Sequence, residues 1–202
     1  MTITEITASA ETYHRVHGYA STWAAARATS SGLNAVLNCG VNKANPTTYY
    51  ILRSGLRFDT SIIPDGDPVT DVRLKLTAIG DYSTTDFDVQ ICEQDWSSQS
   101  PLSDANREAF YDNCLAEADY FVWRNTAGMS VDTPYTGPAM NVAWVNKTGY
   151  TYYSLRGSAD YANSDPGDRS DVDFRLPGDG TAAYRPTLII THGAVGNAFI
   201  MF

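Results

Sequence analysis

Basic residues are scarce in this chain. Lys and Arg number 14 against 23 Asp and Glu, a formal net charge of -9. Nucleic-acid binding rests on cationic contacts to phosphate, so the deficit argues against a nucleic-acid partner. It argues equally against an anionic membrane surface. Cysteine is scarce too. Cys39, Cys92 and Cys114 are odd in number and widely spaced, which excludes a disulfide framework or a zinc site. One bridge, such as Cys92 to Cys114, stays open, and free buried thiols are the simpler reading. No apolar run is long enough to cross a membrane, and Met1–Thr7 lacks the basic region and apolar stretch of a signal peptide. The expectation is a chain kept inside a cell or leaving it by another route, such as packaging into a virus particle; the alternative is an extracellular protein whose signal has been removed. Also missing are a P-loop, a G-x-G-x-x-G, a G-x-S-x-G elbow and the H-E-x-x-H spacing. No repeat or low-complexity linker divides the chain, which predicts a single domain.

What is abundant is strand-forming. Tyr (13), Phe (7) and Trp (4) suit a pleated, half-buried surface. Apolar and polar residues alternate in Val72–Ala78, in Asp86–Ile91 and in Asp171–Arg175. Leu52, Leu56 and Phe58 share one face of another run, and Leu188 and Ile190 close the series. One apolar and one wet face is the pattern of antiparallel sheets packed on one side. Pro64–Pro68, Asp165–Asp168 and Pro177–Gly180 are turns. Ser103–Ala118 breaks the pattern with helix formers, capped by Ser103 or Asp104, with Ala105, Ala109, Phe110, Cys114 and Leu115 along one side. The predicted fold is all-β, an antiparallel jelly-roll β-sandwich over residues 9–192 with one short inserted helix at about 103–118. Residues 1–8 read as an N-terminal arm and 193–202 as an apolar C-terminal tail.

The run Arg53–Gly66 (RSGLRFDTSIIPDG), then Val69–Leu76, Asp95-Trp96 and Tyr184–Thr191, resembles the disaggregatase-related (DNRLRE-like) jelly-roll domains. The resemblance covers roughly Ser9 to His192. It implies kinship with carbohydrate-binding modules and with stand-alone chains of phage and environmental viruses. It also implies structural calcium, which such modules often hold. Arg57 and Asp59 read as structural residues beside a turn.

Candidate contacts follow from residue type. Outward aromatics can stack on sugar rings or serve a protein interface, and Trp23, Tyr50, Trp96, Tyr153 and Tyr161 are the candidates. Tyr49-Tyr50 and Tyr152-Tyr153 each place one ring inward and one outward if they lie in strands. Asp65 and Asp67 in one turn, and Asp165 and Asp168 in another, offer oxygen ligands for calcium. No cofactor is required. His14 and His17 would point to opposite faces of a strand, and His192 stands alone. Phe199, Ile200, Met201 and Phe202 form an apolar terminus suited to assembly. These observations predict a non-catalytic virion structural protein (capsid decoration, head fibre or tail-associated) that packs against itself or other virion proteins and carries a surface for polysaccharide. The alternative is a secreted or surface polysaccharide-binding module. Neither a nucleic acid nor a membrane is expected as partner.

Overall fold

The computed structural model describes residues 1–45 and 47–193, apart from the side chain of Ala44. The tail residues Phe199, Ile200, Met201 and Phe202 lie outside the described residues. Among those described, the strands are β1 (Thr2–Thr7), β2 (Arg15–Ala20), β3 (Gly32–Asn34), β4 (Leu37–Asn45), β5 (Thr48–Asp59), β6 (Val69–Asp81), β7 (Asp88–Glu93), β8 (Tyr120–Asn125), β9 (Pro134–Thr136), β10 (Tyr150–Gly157), β11 (Ser170–Phe174) and β12 (Thr187–His192). Three short helices accompany them: α1 (Trp23–Ala28), α2 (Arg107–Ala116) and α3 (Ser158–Tyr161). No described helix is long and apolar enough to cross a membrane. The protein is all-β and every strand pairing is antiparallel.

The alternating runs are strands as expected. Val72, Leu74, Leu76 and Ala78 of β6, Val89 and Ile91 of β7, Val172 and Phe174 of β11, and Leu188 and Ile190 of β12 all point into one core. Two expectations change. Residues 2–7 are a strand paired along its length with β12, because Ile6 has core to bury into. The expected helix is real but starts at Arg107, with Asn106 as its first cap, and its buried stripe is Phe110, Tyr111 and Cys114. Ser103 instead closes the preceding turn, accepting from the Arg107 N–H, while Ala105 and Ala109 face water.

The register of β5 decides the architecture. Ser54 pairs with Arg15 of β2 and with Leu155 of β10, so those strands flank opposite edges of β5. Tyr49–Leu52 pair with both β2 and β4, which puts β4 on the same edge as β10. The sheet therefore forks at Ser54. One branch runs β10, β7, β8 and the other runs β4, β11, β6, β12, β1. Gly40 and Gly157 meet where the branches part. A β-carbon on Gly157 would stand 3.0 Å from the Gly40 Cα, and Gly40 itself has φ +113°, which favours glycine. The main core fills the space between the branches, and Trp123 of β8 spans it by donating its indole N–H to the Leu74 carbonyl of β6 at 2.8 Å.

A second core lies on the outer face of β5. Val16, Val41, Tyr49 and Ile51 are covered there by α1, α2, Trp96 and Leu102. Gly18 of β2 lets α1 settle this closely, since a β-carbon would lie 1.8 Å from the Ala26 carbonyl oxygen. Burial on both faces explains why β5 is enclosed almost continuously from Ile51 to Leu56.

Arg53 lies beneath this helical cover and is fully buried, as is Asp160 of α3. Its guanidinium donates to both Asp160 carboxylate oxygens, at 2.7 and 2.8 Å, and to the Tyr111 carbonyl of α2 at 2.7 Å. It also stacks on the Tyr111 ring, 3.7 Å from its centroid. Arg27 of α1 reaches the same aspartate, and the Tyr111 hydroxyl donates to the Ala26 carbonyl at 2.8 Å. Burial alone would lower the Arg53 pKa; the charge and hydrogen bonds of Asp160 more than reverse it, so the net shift is upward. Removing one partner leaves the other charge buried and unpaired. Asp160→Ala is therefore expected to lower the unfolding free energy, measured by urea titration, by about 3–5 kcal/mol. The Arg53→Met, Asp160→Leu double variant, which leaves no orphan charge in that pair, should lose less than the single.

Candidate functional site

The structure separates the aromatic candidates. Trp96 and Tyr153 are fully buried, so neither can stack on a ligand. Trp96 donates its N–H to the Tyr153 carbonyl at 3.1 Å and sits edge-on to Phe110, fixing α2 to β10. The other three are half-buried and apart. Trp23 packs against Tyr49 and donates to Asn163. Tyr161 lies against Tyr120 and over the buried Arg156. Tyr50 meets Tyr19 and His17 on the face of β2 and β5 opposite the second core. Within the pairs, Tyr49 and Tyr153 are inward and Tyr50 and Tyr152 outward, as alternation predicts.

The acidic turns are also separate places. The Lys147 ammonium donates to the backbone carbonyls of Asp65 and Asp67, holding a cation against that turn. The Asp67 carboxylate accepts from His192 at 2.8 Å. Asp165 accepts from the Tyr49 hydroxyl and the Gly167 N–H, while Asp168 borders a shallow pocket with Lys43 and Arg169. Among the described residues no three His, Cys, Asp or Glu side chains come together as a metal cluster. Arg57 pairs with Glu11, and Asp59 caps the turn at Ser61, so both are structural as expected. All three cysteines are free and buried. The Cys92 thiol is raised by its hydrogen bond to Cys114 and by burial, and Cys39 by burial.

The residues that do converge belong to an open cleft of about 390 Å³. Its origin is a mismatch of strand lengths. β7 ends at Glu93, opposite Tyr153, so Tyr150–Tyr152 of β10 have no β7 neighbour on that side. The chain leaving β7 forms one wall with Asp95 and Ser97, and the loop entering β10 forms the other with Trp144 and Asn146. Tyr150 and Tyr152 line the floor, two residues apart on one face, with ring centroids 6.2 Å apart.

Each lining group is held from behind. Trp96 packs edge-on against Tyr152 at 5.0 Å. Arg57 lies over Tyr150 at 4.7 Å. The Asn146 amide donates to the Tyr150 carbonyl at 3.2 Å, and the Thr151 hydroxyl accepts from the Asn146 N–H at 2.9 Å. Asp95 accepts from the Ser97 N–H at 2.9 Å. Partial burial pushes the Glu93 carboxyl above its usual range, and the neighbouring Asp119 and Glu117 add to the shift. Half-exposed aromatic faces beside carboxylates and an amide match what a polar ligand with apolar faces needs.

Two other arrangements compare poorly. A second cavity of about 390 Å³ is bordered by Glu11, His14, Arg175 and Asp179, but its polar groups serve the protein itself. Glu11 pairs with Arg57, His14 bonds the Gly55 carbonyl, and Arg175 pairs with Asp132 and Asp179. His192 bonds Asp67 through Nδ1 and the Thr4 hydroxyl through Nε2 at 2.9 Å, the order of a catalytic triad. The group borders none of the cavities described here, and it clamps β1, β12 and the Pro64–Pro68 turn together. The chain matches no known family model and no curated protein.

His14 and His17 do not meet. His14 is buried just before β2, and His17 faces outward toward Tyr50. Burial, then the charges of Arg15 and Arg107, lower the His17 pKa to about 4 from the ordinary 6.5. The unfolded chain therefore binds more protons between those values, and stability must fall as pH drops through that window. His17→Gln removes this contribution. Measured by urea unfolding across the window, the wild type should lose stability relative to the variant on acidification, and the two should run parallel at higher pH.

Proposed function

We propose that the chain is a non-catalytic binding domain, a jelly-roll-like module, that holds a segment of polysaccharide in the cleft beside β10. The observation that carries this reading is the convergence of Trp144, Tyr150 and Tyr152 with the polar groups of Glu93, Asp95 and Asn146 along one open groove. A sugar ring has an apolar C–H face and a rim of hydroxyls. Aromatic faces suit the first, and carboxylate and amide groups suit the second. The groove is open rather than closed, as a chain-like ligand requires. A virion surface or an extracellular position would both present it to glycans.

A second reading, as a virion structural protein that assembles with copies of itself or with other virion proteins, is favoured by the free edge at β1. That strand pairs only with β12 among the described residues, and Met1 and Ile3 are 72% and 69% exposed. Gly193 lies against Met1 and Thr2 at that edge. An unpaired edge can accept a strand from a neighbour. Light scattering on the full chain and on a version ending at His192 separates the cases. Loss of an oligomer on truncation supports assembly through this edge, and monomers throughout remove it.

For the first reading, a glycan array on the full chain should give binders. Trp144→Ala should weaken the best of them at least about tenfold, the equivalent of about 1.4 kcal/mol, in isothermal titration. No binder on the array, or binding untouched by Trp144→Ala, would defeat the cleft assignment. The ligand should also be recovered uncleaved after long incubation.

A further inference from the structure

The cleft carries a charge pattern that narrows its ligand. Glu93 and Asp95 both line it, and neither forms an ion pair among the described residues. Asp119 and Glu117 stand close enough to Glu93 to act on its charge. The nearby cations are committed elsewhere. Arg57, which lies over Tyr150, is paired with Glu11, and the Lys147 ammonium is held by the carbonyls of the Pro64–Asp67 turn. Among the described residues the two cleft carboxylates therefore have no cation paired to them, in a chain that is already acidic.

A second feature points the same way: Trp144, Tyr150 and Tyr152 line the same cleft. Aromatic faces attract cations as well as sugar faces.

We infer that the cleft prefers a saccharide bearing protonated amines, a deacetylated amino sugar, over its neutral N-acetylated counterpart, and that it rejects uronic-acid polymers. This rests on the saccharide reading above. The amine would lie between the Glu93 and Asp95 carboxylates, with the sugar ring against Trp144 or Tyr152. Partly exposed charge pairs are individually modest and screened by salt, so the preference is expected to be moderate and to fall as salt rises.

The test is isothermal titration of the full chain, near neutral pH and at two salt concentrations, with a glucosamine oligomer, its N-acetylated form and a galacturonate oligomer. The expected result is about tenfold tighter binding of the glucosamine oligomer at low salt, a smaller margin at high salt, and no binding of galacturonate. Glu93→Gln with Asp95→Asn should remove the margin by weakening the glucosamine oligomer more than the N-acetylated one, with circular dichroism confirming the fold. Trp144→Ala should weaken both oligomers together. Equal affinity for the two glucosamine forms, or binding of galacturonate, overturns the charge inference and leaves the saccharide reading standing. Binding of the glucosamine oligomer that survives Trp144→Ala but not the paired carboxylate change marks a nonspecific acidic patch and overturns both. Failure of all three oligomers overturns the inference, and the glycan array then decides whether the saccharide reading survives.

Discussion

Arg53 carries a permanent positive charge at a place that water does not reach. A buried guanidinium is tolerable only when its donors find acceptors and its charge finds an opposite one. Asp160 meets the second need, and the Tyr111 carbonyl takes a further donor. Those partners come from α3 and α2, and Arg27 and the Ala26 carbonyl bring in α1. One strand residue thus requires three short helices to be in place at once. None of them is long enough to be stable alone. Arg156, one strand away, is buried as well and donates to the Cys114 and Leu115 carbonyls near the C-terminus of α2, where the helix dipole favours positive charge.

The cleft depends on this arrangement at one remove. With α2 seated, Phe110 offers a wall to Trp96, and Trp96 is pinned between Phe110 and Tyr152. The chain from Asp95 to Ser97 must then pass over β10, where it becomes one side of the groove. The other side is set by the Thr60, Thr151 and Asn146 hydrogen bonds that lead the chain into β10. A loss in the Arg53 network should therefore reach the cleft through packing, without any contact between the two.

The strands were legible because their alternation is local. Val72–Ala78 reads as a strand from seven residues, and so does the inward and outward division of Tyr49 and Tyr50. Arg53 was not legible as a buried residue. In Leu52-Arg53-Ser54 the alternation reads a charged side chain as solvent-facing, and only helices far along the chain turn that face into an interior. Trp96 misled for a related reason: an aromatic after an aspartate in a turn region resembles an exposed platform, yet its neighbours Phe110 and Tyr152 come from distant segments. The cleft residues Trp144 and Tyr152 were visible as aromatics, but the site depends on β7 ending three residues short of the start of β10. That is a matter of long-range register, which no local pattern records.

The way the groove is held bears on what it is suited to do. Its aromatic and polar groups are fixed by residues that do not line it: Trp96 behind Tyr152, Arg57 over Tyr150, Thr60 behind Thr151. Side chains already ordered in the free protein lose little entropy when a ligand arrives, so more of the contact energy appears as affinity. The fork that creates the core also keeps this surface rigid, because β10 is tied to β5 on one side and its inner face is filled by Tyr153 and Leu155. A preformed groove on a stiff sheet suits holding a ligand in a single pose. Strand register, helix seating and the Arg53 charge all serve that geometry.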